Sequence, residues 1–300
     1  MNGSVRSSAG LVWHHQRLVW WIFAVNLVLG WLSSLPARMS LSAVLDHSLE
    51  SSKLVTGFDG GAFVMLMQRP ELRVRSLASG VVGTSLIFLV YLLFIDGGVF
   101  TVYLEDRELN GTEFFQDAAL FFWRMLRLAL YSIVPFGMLV AADNDIAGYA
   151  RRLSTDAPQE RLGLIVNVGS KLIVLLLALL VRLWFDLAQA QVVRDDERDV
   201  FGTLLHSFKL AFTSGLYVKY LGIGSFAAVT FAAGVGMWVY LPHPATGASF
   251  VVLELVTIAQ IASRLWLKAA SARWVGLQTP DALPAPWNET ATETKSTTPP

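Results

Sequence analysis

The sequence of 300 residues has no cysteine, few charged residues and a formal net charge of zero. The absence of cysteine excludes a disulfide framework, thiolate metal sites and a cysteine nucleophile. The balance of 23 basic and 23 acidic residues argues against nucleic acid as a partner, because phosphate binding needs a basic surplus. Only 15% of the residues are charged and 54% are hydrophobic, whereas about 25% are charged in an average soluble domain. The excess apolar side chains must therefore face something other than water.

Long apolar stretches account for this composition. A helix needs about 20 mostly apolar residues to cross the hydrocarbon of a bilayer. The strict two-residue alternation of a membrane barrel is absent. Six stretches are long enough: Leu18–Leu35, Leu77–Ile95, about Ala118–Ala142, one within Leu162–Phe185, Leu221–Leu241 and Ala248–Leu267. The sequence thus predicts an all-α polytopic membrane bundle of six transmembrane helices. The first stretch is too long for a typical signal peptide, so we expect it to be retained.

Two long connections, after the first and fourth spans, carry apolar residues at helical spacing. Both patterns predict amphipathic helices at the membrane interface. The residues are Leu41, Val44, Leu45 and Leu49 in the first connection, and Val200, Leu204, Leu205, Phe208, Phe212 and Leu216 in the second. We divide the chain into an N-terminal segment (1–16), a six-helix transmembrane domain (17–276) and a tail (277–300) whose Pro, Thr and Glu content predicts disorder. The layout raises the hypothesis of an inverted repeat, which the residues do not decide.

Polar residues within the spans need an explanation, because a charge there costs about 2.5–3.5 kcal/mol on insertion scales. On the sixth span one stripe is polar: Glu254, Thr257, Gln260, Arg264 and Lys268. The stripe predicts either a water-filled groove or, as we favour, interhelical hydrogen bonds with Arg264 and Lys268 extending to the interface.

Arginines mark two other spans. Arg124 and Arg127 in the third span could hold a lipid phosphate or an anionic substrate. The alternative, which we favour, places both at headgroup level. In the fourth span Arg182 and Asp186 are four residues apart and could pair. The resulting candidate site for an anion consists of Arg124, Arg127, Asp186, Glu254, Gln260 and Arg264.

No pattern in the sequence predicts catalysis. Residues 195–199 formally fit an aspartate-rich DDxxD motif, but a second such motif at the right spacing is absent, so we interpret them as a solvated helix start. A P-loop and a zincin motif are also absent. We therefore predict no catalytic, metal or cofactor-binding residue, and we favour a protein that is not an enzyme.

Four stretches together resemble an uncharacterised bacterial family of six-helix membrane proteins. The stretches are 17–21, 47–59, 122–128 and 185–188. The layout is similar to the membrane domains attached to some glycerophosphodiester phosphodiesterases, whose catalytic domain this chain lacks. The resemblance covers about residues 15–275 and implies a protein of the bacterial inner membrane.

Two hypotheses for the function follow. In the first, the protein binds or moves an anionic or lipid-like molecule, because the spans carry more cations than carboxylates. In the second, it is a membrane scaffold or assembly partner, with small-residue helix faces that dock other proteins. The expected partners are membrane lipids and either another protein or a second copy of the chain.

Overall fold

The computed structural model describes residues 3–45, 74–156, 160–213, 215–240 and 246–277, and all regular structure within them is helical. The eight described helices are α1 (Gly3–His14), α2 (Gln16–Leu45), α3 (Val74–Glu105), α4 (Gly111–Asp156), α5 (Glu160–Arg194), α6 (Val200–Thr213), α7 (Leu216–Tyr240) and α8 (Thr246–Leu277). Six of these helices are long and apolar enough to cross a membrane. Their candidate spans are Gln16–Leu35, Val82–Glu105, Gly111–Arg152, Ile165–Arg194, Leu216–Met237 and Phe250–Leu277. The predicted all-helical membrane fold is therefore confirmed.

Two predicted spans end too early. The second was predicted to end at Ile95, but α3 continues to Glu105. The sixth was predicted to end at Leu267, but α8 continues to Leu277. Both predictions stopped just before a charged residue, and the helices continue because those residues are buried against other helices rather than exposed.

The two amphipathic connections have different outcomes. The second one forms α6, which begins after Asp199, whose Oδ1 accepts a hydrogen bond from the Gly202 amide (3.1 Å) as an N-cap. Val200 and Leu204 are buried against the bundle, whereas the phenylalanines on the other side of α6 are exposed. In the first connection, residues 41–45 continue α2 without a break, and Leu49 lies outside the described residues, as does the tail after Leu277.

The buried core lies at one end of the bundle, which we call the packed end. It is formed by the C-terminal parts of α3, α5 and α8, the N-terminal parts of α2, α4 and α7, and helices α1 and α6. Trp266 of α8 donates through Nε1 to Ser8 Oγ of α1 (3.1 Å), which fixes α1 against the bundle. Away from this end, large apolar side chains such as Leu86, Val134 and Ile173 are exposed. A surface of that kind is typical of helices that face lipid.

Glycines bring α3 and α4 close together at the packed end. A Cβ atom at Gly98 would lie 2.8 Å from the carbonyl oxygen of Phe114, and one at Gly97 would lie 2.8 Å from Phe121 Cβ. Small residues allow this approach of two backbones, as is common between membrane helices. This contact fixes the position of α3 along its axis relative to α4. It thereby positions Asp96, the residue that precedes Gly97.

Helices α4 and α5 form a hairpin longer than a bilayer. The 46 residues of α4 correspond to about 69 Å, whereas the hydrocarbon core is about 30 Å thick. An ion pair between Lys171 and Asp143 joins the two helices away from the packed end. Part of this hairpin must therefore lie outside the hydrocarbon.

Candidate functional site

A buried ion pair connects α3 and α8 at the centre of the packed end. Lys268 Nζ lies 3.0 Å from Asp96 Oδ2, and the two residues are only 3% and 5% exposed. The ammonium group also lies 4.7 Å from the centre of the Phe100 ring, a distance at which a cation is attracted to the ring face. Both charges lie within candidate membrane spans, so each depends on the other for compensation.

Helix α5 supplies two further oxygen atoms to the same lysine. Gln189 Oε1 accepts a hydrogen bond from Lys268 Nζ (3.2 Å), and Asp186 Oδ1 lies 4.0 Å away. These two residues are three positions apart, so they project from the same face of α5. The lysine is therefore held between α3 and α5 by two oxygen atoms within hydrogen-bond distance and by a second carboxylate at 4.0 Å.

The second carboxylate has partners of its own. The Tyr220 hydroxyl of α7, which is fully buried, donates to Asp186 Oδ2. Arg182 Nε lies 3.9 Å from the same oxygen, as the i,i+4 spacing predicted. Asp96, Asp186, Arg182 and Lys268 thus form a charge-balanced network, which we call the ionic cluster, with Tyr220 and Gln189 as neutral members.

A cavity of about 40 Å³ adjoins the ionic cluster between α2, α3 and α8. Its polar lining consists of Asn26, Asp96, Arg264 and Lys268, and its apolar lining includes Phe88 and Leu265. The Asn26 Oδ1 atom is buried and has no hydrogen-bond partner among the described residues. A space of this size exceeds the 10–15 Å³ that a water molecule requires, so the cavity can hold a small polar group.

A groove of about 240 Å³ between α2 and α3 shares Asn26 and Phe88 with this cavity. The rest of its lining consists of Leu29, Gly30, Ser33, Thr84 and Ser85. The groove and the cavity are therefore adjacent, with Asn26 and Phe88 lining both.

Arg264 is half-buried one turn before Lys268, near the middle of the candidate span Phe250–Leu277. It lines the cavity, and it makes no hydrogen bond or ion pair with other residues in the described part of the chain. Lys268 does not extend to the interface as the favoured interpretation expected. It is buried because Asp96 and Asp186 provide its counter-charges.

The six residues of the predicted site do not all come together. Asp186 lies in the ionic cluster and Arg264 lines the adjoining cavity. Gln260 instead donates to the Ala227 carbonyl of α7 (2.7 Å), an interhelical hydrogen bond of the kind we favoured for this stripe. Arg124 pairs with Asp196 (2.5 Å), Arg127 is exposed on α4, and Glu254 is half-buried towards the start of α8. The structure therefore places two of the six residues, Asp186 and Arg264, at the ionic cluster and its cavity, and the other four elsewhere.

Of the six residues of the ionic cluster, only Asp186 belonged to the predicted site. Arg182 and Lys268 were noted in the sequence but not placed in that site, and Asp96, Tyr220 and Gln189 were not noted. Asp96 follows an apolar run directly, and a charge in that position usually marks the end of a span. The missed signal was its neighbour Gly97-Gly98, because two adjacent small residues indicate close helix packing rather than an exposed turn.

Two other cavities lie at the packed end. An apolar cleft of about 230 Å³ runs between α2, α3 and the start of α4, with Arg17 among its lining residues. A polar cavity of about 470 Å³ lies between the end of α5 and α6. Its acidic groups already have partners, since Arg194 pairs with Asp195 (2.6 Å) and Glu197 accepts from Thr203 (2.9 Å). The described residues contain no group of three side chains suited to a metal ion.

One titratable group of the packed end lies just outside the spans. His15, between α1 and α2, is 3% exposed, and its Nε2 lies 3.6 Å from Asp106 Oδ1. Burial lowers the pKa of His15 from its usual 6.5, and the neighbouring His14 lowers it further, while Asp106 opposes both effects. The neutral imidazole is therefore the form that the fold favours.

Comparison with family models, with curated proteins and with solved structures finds no match to this chain. The polytopic membrane class is established by the six helices alone. The resemblance to the bacterial membrane family remains a prediction about layout.

Proposed function

We propose that this protein binds an oxyanion inside the membrane, through Arg264 and the adjoining Lys268, as a step in moving an anionic or lipid-like molecule. The observation that carries the proposal is the position of Arg264, which is near mid-span, lines a cavity and has no partner among the described residues. A cation at the centre of a membrane helix costs about 2.5–3.5 kcal/mol on insertion scales. A bound anion would offset that cost.

The charge balance of the site supports an anion. Within the ionic cluster two carboxylates, Asp96 and Asp186, compensate two cations, Arg182 and Lys268. Arg264 adds one positive charge to the cavity wall. Its planar guanidinium can donate two parallel hydrogen bonds to a carboxylate, sulfate or phosphate group, and Asn26 can add a donor through its amide nitrogen.

The groove supports an approach from the side of the bundle. It lies between α2 and α3, and Ser33, Thr84 and Ser85 give its otherwise mainly apolar lining hydroxyl groups. An ion from solution and the headgroup of an anionic lipid present the same oxyanion chemistry to Arg264. In keeping with the layout resemblance, we place the protein in a bacterial inner membrane.

The test uses the full chain in uncharged detergent with two probes that carry the same kind of charged group. Sulfate represents a free oxyanion, and dihexanoyl-phosphatidylglycerol represents a lipid headgroup, with dihexanoyl-phosphatidylcholine as the zwitterionic control. Isothermal titration should show binding of at least one anionic probe, and the stronger one identifies the source. Substitution R264Q should weaken that binding at least tenfold. The matched variant R127Q removes an exposed arginine from α4 and should bind as the wild type does. The proposal is wrong if neither anionic probe binds, or if R264Q and R127Q behave alike.

A further inference from the structure

We infer that anion binding at Arg264 is coupled to protonation of Asp96, so that one proton enters the site with each oxyanion. This inference rests on the proposed function and extends it, because it names the group that links the anion to protons. The coupling would make the protein responsive to a proton gradient across its membrane.

The geometry places the acid and the anion on the same cavity wall. Asp96, Lys268 and Arg264 all line the cavity of about 40 Å³, so a bound oxyanion would lie against the Asp96–Lys268 pair. Two negative groups that share a small buried space repel each other more strongly than they would in bulk water. Protonation of Asp96 removes this repulsion.

The other charged groups around Asp96 do not replace it as the proton acceptor. Asp186 is held by the Tyr220 hydroxyl and by Arg182, its Oδ1 lies 4.0 Å from the ammonium group of Lys268, and it does not line the cavity. Helix α4 brings Asp117 next to Gly97, but its carboxylate pairs with Arg107. Helix α2 contributes Asn26, which is neutral, to the lining of the cavity. The charged and titratable groups that face this region are Lys268 and Arg264 from α8, Arg182 and Asp186 from α5, Tyr220 from α7 and Asp117 from α4.

Lys268 connects the protonation of Asp96 to the binding of the anion. While Asp96 is ionised, its Oδ2 accepts from the ammonium group at 3.0 Å. Once a proton from water has formed an O–H bond on Asp96, the carboxyl group no longer neutralises Lys268, which keeps all three of its protons. The lysine can then pair with the incoming oxyanion beside Arg264, while Gln189 and Asp186 continue to hold it from α5.

The coupling between anion binding and proton binding can be measured, because each must affect the other equally. If the anion favours the protonated form of Asp96, protons must favour anion binding by the same factor. Anion affinity should therefore rise as the pH falls, by up to tenfold per pH unit where one proton is taken up per anion. A site without coupling would show neither effect.

The experiment measures both quantities on the wild-type chain, using the anionic probe that binds more tightly. Binding is followed in weakly buffered detergent solution with a pH indicator, because neither sulfate nor the phosphodiester of phosphatidylglycerol takes up protons near neutral pH. We expect uptake of about one proton per anion bound, together with an affinity that rises on acidification. Uptake should persist in H15Q, which removes the buried histidine of the packed end.

Two carboxylate variants identify the acceptor. In D96N the affinity should become independent of pH, whereas E254Q, which neutralises a carboxylate elsewhere on α8, should keep the wild-type dependence. Should D96N fail to fold, the proton count on the wild-type chain still decides the matter. Anion binding without proton uptake would refute the coupling and leave the proposed function intact. Absence of anion binding would instead refute the proposed function.

Discussion

Lys268 and Asp96 form a buried ion pair between α8 and α3, with 3.0 Å between Nζ and Oδ2. Neither residue is more than 5% exposed, and both lie within candidate membrane spans. The pair ties the C-terminal part of α8 to the C-terminal part of α3 at the packed end. Removal of either charged side chain would leave the other buried without a counter-charge.

The first prediction concerns the stability of this pair. Substitution K268M should lower the free energy of unfolding by about 3–5 kcal/mol, because Asp96 would remain buried without its counter-charge. The double substitution D96L/K268M should recover most of that loss, since two apolar side chains of similar size need no compensation. Unfolding in detergent, followed by tryptophan fluorescence, measures both.

The control for this prediction is the pair between Lys171 and Asp143, whose lysine is 51% exposed. Substitution K171M should lower stability by no more than about 1 kcal/mol, because exposed ion pairs contribute little. If K268M and K171M were equally mild, the buried pair would not be a structural element of the bundle.

The number and positions of the membrane helices could be predicted because span length and apolarity are local properties of the sequence. The continuation of α3 past Asp96 and of α8 past Lys268 could not be predicted. A charge after an apolar run usually marks the end of a span, and here it does not, because the two charges neutralise each other across the bundle. That compensation depends on contacts between residues far apart in the chain, which no local pattern reveals.

In the candidate site, too, a pair within one helix could be predicted, whereas contacts between helices could not. Arg182 and Asp186 could be paired from their spacing, since both lie on α5. Tyr220 and Lys268 join them through α7 and α8, so their place in the ionic cluster depends on how the helices pack. Arg124 was included in the candidate anion site, but its partner Asp196 lies in the loop after α5, which could not be predicted from α4 alone.

A second prediction concerns the close approach of α3 and α4. Substitution G98A should lower the free energy of unfolding by about 1–3 kcal/mol, because the new methyl group would meet the Phe114 carbonyl oxygen at 2.8 Å and force the helices apart. The matched variant G83A lies on the same helix with no atom within 4 Å of the added Cβ. It should be neutral or stabilising by up to about 1 kcal/mol, since alanine favours a helix. Equal effects of the two variants would contradict the close packing at Gly98.

A third prediction concerns the pH dependence of stability. Because burial lowers the pKa of His15 in the folded chain, the unfolded chain binds more protons just below pH 6.5. Stability should therefore fall as the pH drops below 6.5, and the dependence should level off below the pKa of the folded state. Thermal unfolding in detergent at a series of pH values measures this trend.

Two histidine variants distinguish His15 from other titrating groups. The loss of stability on acidification should be smaller in H15Q than in the wild type. It should be unchanged in H206Q, which replaces an exposed histidine of α6. A steeper loss in H15Q would mean that the charged imidazole, held by Asp106, is the stabilising form.

The last prediction concerns the reach of the α4–α5 hairpin. Tyr149 is 60% exposed near the distal end of α4, and Glu108 is exposed in the loop that precedes this helix at the packed end. Because α4 is about 69 Å long, the two positions should lie on opposite sides of a bilayer with a hydrocarbon core of about 30 Å. The chain has no cysteine, so Y149C and E108C each carry one reactive thiol. In sealed proteoliposomes sorted for a single orientation, a membrane-impermeant maleimide should label one variant from outside and the other after the vesicles are opened. Labelling of both from the same side would show that α4 does not cross the membrane.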